Sequence, residues 1–178
     1  MKKVIFIFGI VVLLAFSGCK VLDKLTQFHI KYDTEVVIPA TLGVNLPFDI
    51  PTPDIATNSN SEFQVHNTHK NLIDIINLTK MDLTIASPST ANFNFLKDIE
   101  IYMSTSSLPK VKIAWLYNIP KTGLKTISLE VSNANLKQYI ISDTIKLQTK
   151  VTTRELISRQ IKINVHSDFF VNAKILGI

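Results

Sequence analysis

Apolar and polar residues alternate one by one through much of this chain, and that period constrains the fold more than any other feature. Phe28, Ile30, Tyr32, Thr34, Val36 and Ile38 fall on one side of a run whose other side holds His29, Lys31, Asp33 and Glu35. Successive side chains of an extended strand point to opposite faces, so a period of two marks a strand with one buried face. The pattern returns at Met81, Leu83 and Ile85, at Ile99, Ile101 and Met103, and at Val111, Ile113, Trp115 and Tyr117. It continues at Ile127, Leu129 and Val131, at Ile145, Leu147, Thr149 and Val151, and at Ile161, Ile163 and Val165. Turn signals separate these runs: Thr57-Asn58-Ser59-Asn60-Ser61, Ser87-Pro88 and Pro120 to Gly123. About nine short strands without long intervening helices favour an antiparallel sandwich or barrel over a parallel α/β sheet.

The irregular stretches refine this. Pro39 to Gly43 turns the chain, and an extended run from Leu42 to Ile50 is expected to pair back on the first strand. Pro47, Pro51 and Pro53 confine that part to an edge or loop, because proline donates no ladder hydrogen bond. Glu62 to Asn67 reads as a short strand, and Asn67-Thr68 as the cap of a brief helix through Ile76. Asn133 to Tyr139 reads as one or two helical turns, and Phe169 to Leu176 as a last apolar stretch. Trp115 is expected to fill the core.

The first residues have a different logic. Lys2 and Lys3 precede an apolar run from Val4 to Phe16. That run is short of the ~20 residues a transmembrane helix needs. It fits the charged start and apolar core of a signal peptide over residues 1–18. Ser17-Gly18 then leads into Cys19, the only cysteine. Small residues before a lone cysteine resemble the lipobox of bacterial lipoproteins, although Phe16 stands where that family usually has Leu. The resemblance implies cleavage before Cys19, a diacylglycerol on its sulfur and an acylated new amino terminus. It also implies that the lipid bilayer is a partner through acylated Cys19. Lys20 after the cysteine, in place of a retention aspartate, points to the outer membrane. Residues 19–27 would be the lipidated cysteine and tether, as a plain linker or a short amphipathic turn, and 28–178 a single domain.

A single cysteine makes no internal disulfide, so an exported fold must rest on its core. Residues 28–178 are long enough for that, being of ordinary domain size. Without Lys2 and Lys3 the 19 basic residues fall to 17 against 14 acidic, a net +3. That modest, unclustered charge excludes a nucleic-acid-binding surface.

From Leu78 to Leu176 the chain is similar to small Bacteroidota lipoproteins of uncharacterised activity. The residues carrying this are Ser87-Pro88, Phe93-Asn94-Phe95-Leu96-Lys97-Asp98-Ile99-Glu100-Ile101-Tyr102, Leu108-Pro109 and Lys150-Val151-Thr152-Thr153. The resemblance implies an immunoglobulin-like sandwich and no particular chemistry. The expected fold is therefore all-β: an antiparallel, immunoglobulin-like β-sandwich with one or two short helices, after an N-terminal signal helix.

No residue set announces catalysis. The five glycines form neither a phosphate-cradling loop nor a dinucleotide fingerprint, and there is no Gly-x-Ser-x-Gly elbow. His66 and His69 form the only close histidine pair, with Asp74 the nearest carboxylate. A zinc site would need further ligands, so these are expected to be loop histidines. His29 and His166 read as solvated. Asp98 and Glu100 share one strand face, but paired carboxylates need a substrate cleft to work as acid and base, and they too read as solvated surface. Lys146, Lys150 and Lys162 suggest a basic stripe on one sheet, whose ordinary role is to blunt edge-to-edge pairing. Asp143-Thr144-Ile145 resembles the O-glycosylation acceptor of Bacteroidota envelope proteins. The sequence thus predicts no catalytic residues, no metal, no cofactor and no enzyme. It predicts a membrane-anchored, non-enzymatic binding or accessory module of the envelope, with an unidentified envelope protein or glycan as partner. The alternative is a carrier of an apolar ligand between the two sheets.

Overall fold

A computed structural model describes residues 26–40 and 44–174 of the chain. The signal peptide, Cys19, the tether up to residue 25, residues 41–43 of the expected turn and the final apolar residues 175–178 lie outside the described residues. No helix among the described residues is long and apolar enough to cross a membrane.

The strands are β1 (Gln27–Ile38), β2 (Pro47–Pro51), β3 (Ile55–Ala56), β4 (Ile73–Ser87), β5 (Leu96–Ser104), β6 (Val111–Leu116), β7 (Thr126–Ser128), β8 (Glu130–Val131), β9 (Thr144–Thr153) and β10 (Ile161–Ala173). Two short helices accompany them, α1 (Ser59–Val65) and α2 (Lys137–Ile140), with 3₁₀ turns at Lys70–Leu72 and Phe93–Phe95. One sheet has the order β1-β10-β4-β7; the other runs β2-β9-β5-β6-β8, with β3 also on β9. Every pairing is antiparallel. The pairs nest along the chain: β1 with β10, β2 with β9, β4 with β7 and β5 with β6. The expected antiparallel two-sheet sandwich is what the chain forms, but its nested connectivity is that of a jelly roll and not the immunoglobulin-like one that the resemblance implied.

The alternation seen in the sequence builds the core. Ile30, Val36 and Ile38 of β1, Ile99, Ile101 and Met103 of β5, and Ile163, Val165, Phe169 and Val171 of β10 are all buried in the layer between the sheets. β1 and β10 stay in register from Gln27↔Asn172 to Ile38↔Ile161. Such a slip-free pairing keeps both apolar sets on one face.

Four local expectations are corrected. The run through Pro47 pairs with β9 rather than folding back on β1, and it does form a sheet edge. Glu62 to Asn67 is helical through Val65 rather than extended, with Phe63 fully buried. Asn67 ends that helix instead of starting the next. It adopts φ 53, its N–H donates to the Gln64 carbonyl at 3.0 Å, and the Thr68 N–H donates to the Phe63 carbonyl at 2.9 Å. That is a Schellman closure, with asparagine supplying the left-handed residue. The chain from Ile73 then belongs to β4, not to a helix. Finally, Ile127 to Val131 is two strands on different sheets. β7 pairs with β4 and β8 with β6, and between them the Leu129 N–H donates to the Met81 carbonyl at 2.9 Å.

Candidate functional site

Two features of the sandwich bring chemistry-bearing side chains together. The first lies on the outer face of the larger sheet and depends on a β-bulge. Across β5 and β6, Ile101 faces Ala114 but Tyr102 faces Lys112, so Ile113 is an extra residue. Ile113 and Ala114 are both fully buried, and after them the alternation is reversed. A one-residue insertion sends every later side chain to the opposite face. Trp115 and Tyr117 therefore join Lys112 on the outside, and Trp115 is not core filler.

Glu100 is the centre of this face. The Tyr117 hydroxyl donates to its Oε1 at 2.5 Å, the Tyr102 hydroxyl to its Oε2 at 3.0 Å, and Lys112 Nζ to Oε1 at 3.3 Å. Lys150 Nζ adds a longer contact at 3.9 Å. The Tyr117 hydroxyl leads the groups that hold the Glu100 carboxyl below its ordinary range, against the opposing effect of burial. The same hydroxyl is first among the causes that hold Lys112 above its ordinary value. Lys112 Nζ lies 5.0 Å from the Trp115 ring centre, and Lys110 Nζ lies 4.6 Å from that of Tyr102. Trp115 Nε1 donates to Glu130 Oε2 at 2.7 Å. Aromatic faces, cations and carboxylates thus lie side by side on one face of the sheet, an arrangement suited to contact with a polar surface.

The second feature is a cleft of about 190 Å³ at the side of the sandwich where β1 and β3, each the outermost strand of its sheet, face one another. Ile145, Leu147, Phe169, Met81 and Met103 make its apolar wall. Tyr32, Thr34, Asn58 and Ser167 contribute polar groups. The Tyr32 hydroxyl donates to the Thr57 carbonyl at 2.5 Å. Burial, reinforced by the charge of Glu62, pushes the Tyr32 phenol up to about 12. Thr57 is itself pinned, its hydroxyl donating to the Ser142 carbonyl at 2.6 Å.

The residues singled out from the sequence are scattered over these and other places. His66 caps α1 and stacks on Phe28 with ring centres 4.0 Å apart, while His69 precedes the 3₁₀ turn Lys70–Leu72. Among the described residues no group of three or more His, Cys, Asp or Glu is placed to hold a metal ion. His29 and His166 are not simply solvated: their Nδ1 atoms meet Asp168 Oδ1 at 2.5 Å and Asp33 Oδ1 at 2.8 Å. Asp98 and Glu100 have separate tasks. Asp98 accepts from the Asn118 N–H at 2.9 Å, and Glu100 is the network centre rather than open surface. The basic stripe does not exist, since Lys146 and Lys150 are on β9 and Lys162 on β10, in different sheets. Neither strand is an edge, and the three lysines pair with Asp54, Glu100 and Glu35. Thr144 of the possible glycosylation motif is exposed at the start of β9. Tyr32, Tyr102 and Tyr117 were the functional residues the sequence did not flag. Their signal is weak: each is an aromatic within an alternating strand, and only pairing partners give it meaning.

No protein-family model and no curated protein sequence matches the chain. Several solved structures match the chain at low identity and low TM-score. A capsid structure of Helicobacter pylori bacteriophage KHP30 is 8% identical, with TM-score 0.37 over 81% of this chain and 92% of that one. A desmodium yellow mottle tymovirus structure is 15% identical, with TM-score 0.32 over 85% of each chain. A carbohydrate-binding module of the β-sandwich superfamily is 16% identical, with TM-score 0.31 over 83% of this chain and 55% of that one. At these scores the likeness carries no functional argument. The class, a jelly-roll β-sandwich, rests on the chain's own strand pairing.

Proposed function

We propose that this chain is a lipid-anchored module of the bacterial outer membrane that works by binding an envelope protein or glycan rather than by catalysis. The observation that carries the reading is Cys19, the lone cysteine, set directly after an apolar leader and Ser17-Gly18. β1 begins at Gln27, so the intervening residues reach at most ~28 Å and hold the domain near its membrane. Two or more acyl chains would make that attachment stable. The face around Glu100, Tyr117 and Trp115 offers the contact surface, because its rings and charges are already held in place by one another. The test is fractionation of cells producing the wild-type chain and Cys19→Ser. The wild type is expected in the membrane fraction, with metabolic palmitate label, and the variant in the soluble fraction without it. Identical soluble behaviour of both would overturn the anchor.

The cleft between β1 and β3 supports a second reading, carriage of an apolar ligand between the sheets. Native mass spectrometry of the purified domain separates the two: a carrier retains a small molecule, and a module with a filled core does not.

A further inference from the structure

The cleft has a continuation. A small void of about 10 Å³ lies between the same two sheets, lined by Val36, Leu83, Ile101, Thr149 and Val165. Each of these stands two residues along its strand from a residue of the cleft: Thr34 in β1, Met81 in β4, Met103 in β5, Leu147 in β9 and Ser167 in β10. On all five strands the step has the same sense, from the mouth toward the middle of the core. Two residues of strand span about 7 Å, so the void is the next layer of the same gap. Thr149 is 2% exposed, and its hydroxyl has no hydrogen-bond partner. Met81 and Met103 lie in the layer before it, and methionine is the side chain that most readily re-packs around a guest.

Size and charge narrow the guest. An apolar cavity of ~150 Å³ accepts benzene, whereas drug-sized ligands need ~300 Å³ or more. A cleft of about 190 Å³ suits one alkyl chain. Asp33 lines the cleft, its carboxylate 2.8 Å from His166 Nδ1; the charge of Glu62 also acts on Tyr32, and no basic side chain pairs with Glu62 among the described residues. Lys70, on the same side, is already bound to Asp143 at 3.0 Å. A carboxylate at the mouth would be repelled, whereas a hydroxyl or amine would find acceptors.

We infer that the gap between the sheets is a binding site for a single-chain amphiphile with a hydroxyl or amine head group, its tail directed past Met81 and Met103 toward Thr149. This rests on the carrier reading and names its ligand class. The test uses the full chain carrying Cys19→Ser, so that no attached lipid competes, and the uncharged fluorophore N-phenyl-1-naphthylamine as probe. The probe is expected to brighten on binding. Decanol and decylamine should displace it at concentrations about tenfold lower than decanoate, and Glu62→Gln should narrow that gap. Ser167→Leu fills the cleft and should abolish probe binding while the thermal unfolding midpoint is kept. Thr34→Leu, on the edge strand, serves if the first variant does not fold. Absence of any brightening in the parent chain would overturn the carrier reading and this inference together. Brightening that both filling variants leave unchanged would put the probe outside the gap and likewise overturn both, whereas decanoate competing as well as decanol would overturn this inference and leave the carrier reading standing.

Discussion

The Tyr32 hydroxyl and the Thr57 carbonyl, 2.5 Å apart, join the outer strand of one sheet to the segment that follows the outer strand of the other. The bond is a strut across the mouth of the cleft. Thr57 does not move freely, because its N–H donates to the Asp143 carbonyl at 3.0 Å and its hydroxyl to that of Ser142. Tyr32→Phe removes one partly buried hydrogen bond and should cost about 1 kcal/mol. The strut also predicts alkaline behaviour. The folded phenol is raised to about 12, so its contribution is complete below the ordinary phenol value of ~10 and lost as pH rises through the folded value. Tyr102 is raised as well, by burial and by Glu100, so absorbance titration should show more than one late-ionising tyrosine, with the latest step absent in Tyr32→Phe.

Thr149 is the opposite case, a hydroxyl with nothing to bond. It stands inward on β9 between Leu147 and Val151, in the alternation of the core. Burying an unpartnered hydroxyl costs about 1–3 kcal/mol, and a methyl of the same shape carries no such cost. Thr149→Val is therefore expected to raise stability by about 1 kcal/mol, read as a higher urea midpoint at an unchanged slope. A lower midpoint would mean that the hydroxyl has a partner in solution.

Most of the fold was legible because alternation reports burial directly. β1, β5, β9 and β10 carry their buried residues at the positions that the period of two assigns. Two of the misreadings came from single residues that break the period without leaving a signature. The extra Ile113 reversed the face of Trp115 and Tyr117, and Ile and Ala at the bulge look like any other strand residues. Leu129 sits where the chain crosses between sheets, yet it continues the alternation of its neighbours. The Glu100 network was illegible for a different reason: Tyr102, Lys112 and Tyr117 reach it from two strands, and only register brings them together.

Asn67 shows how a small backbone demand overrides a reading by residue type. Asparagine followed by threonine resembles a helix start, but the left-handed φ of 53 at Asn67 serves as a helix stop. A left-handed backbone costs an ordinary side chain roughly 1 kcal/mol more than it costs glycine or asparagine. Asn67→Ala should lower stability by about that amount, while Asn67→Gly should leave it within about 0.5 kcal/mol of the parent. Chemical denaturation of the two variants checks this. Equal losses in both would show that the Asn67 side chain, not its backbone geometry, holds the turn.

Glu100 sets the acid response of the outer face. Its carboxyl is held below the ordinary range by the Tyr117 hydroxyl above all, then by Tyr102 and Lys112. A carboxylate with a lowered folded value contributes stability that is complete above its unfolded value and lost as pH falls through the folded one. Asp82 has the same sense. Burial alone would raise it, but bonds from Lys80 at 2.6 Å and Ser128 at 2.8 Å outweigh burial. Glu100→Gln should therefore cost about 2 kcal/mol at pH 7, the scale of hydrogen bonds to a charged group. The difference between wild type and variant should shrink as pH falls below the ordinary glutamate value of about 4, first as the unfolded chain and then as the folded carboxylate takes up a proton. Urea unfolding of both proteins at pH 7, 5 and 3 measures it. A penalty that stays constant over that range would mean that the glutamine disturbs packing on β5 instead of removing a charge-dependent contact. The Asp82 contribution, untouched by the variant, should leave Glu100→Gln with a residual acid sensitivity of its own.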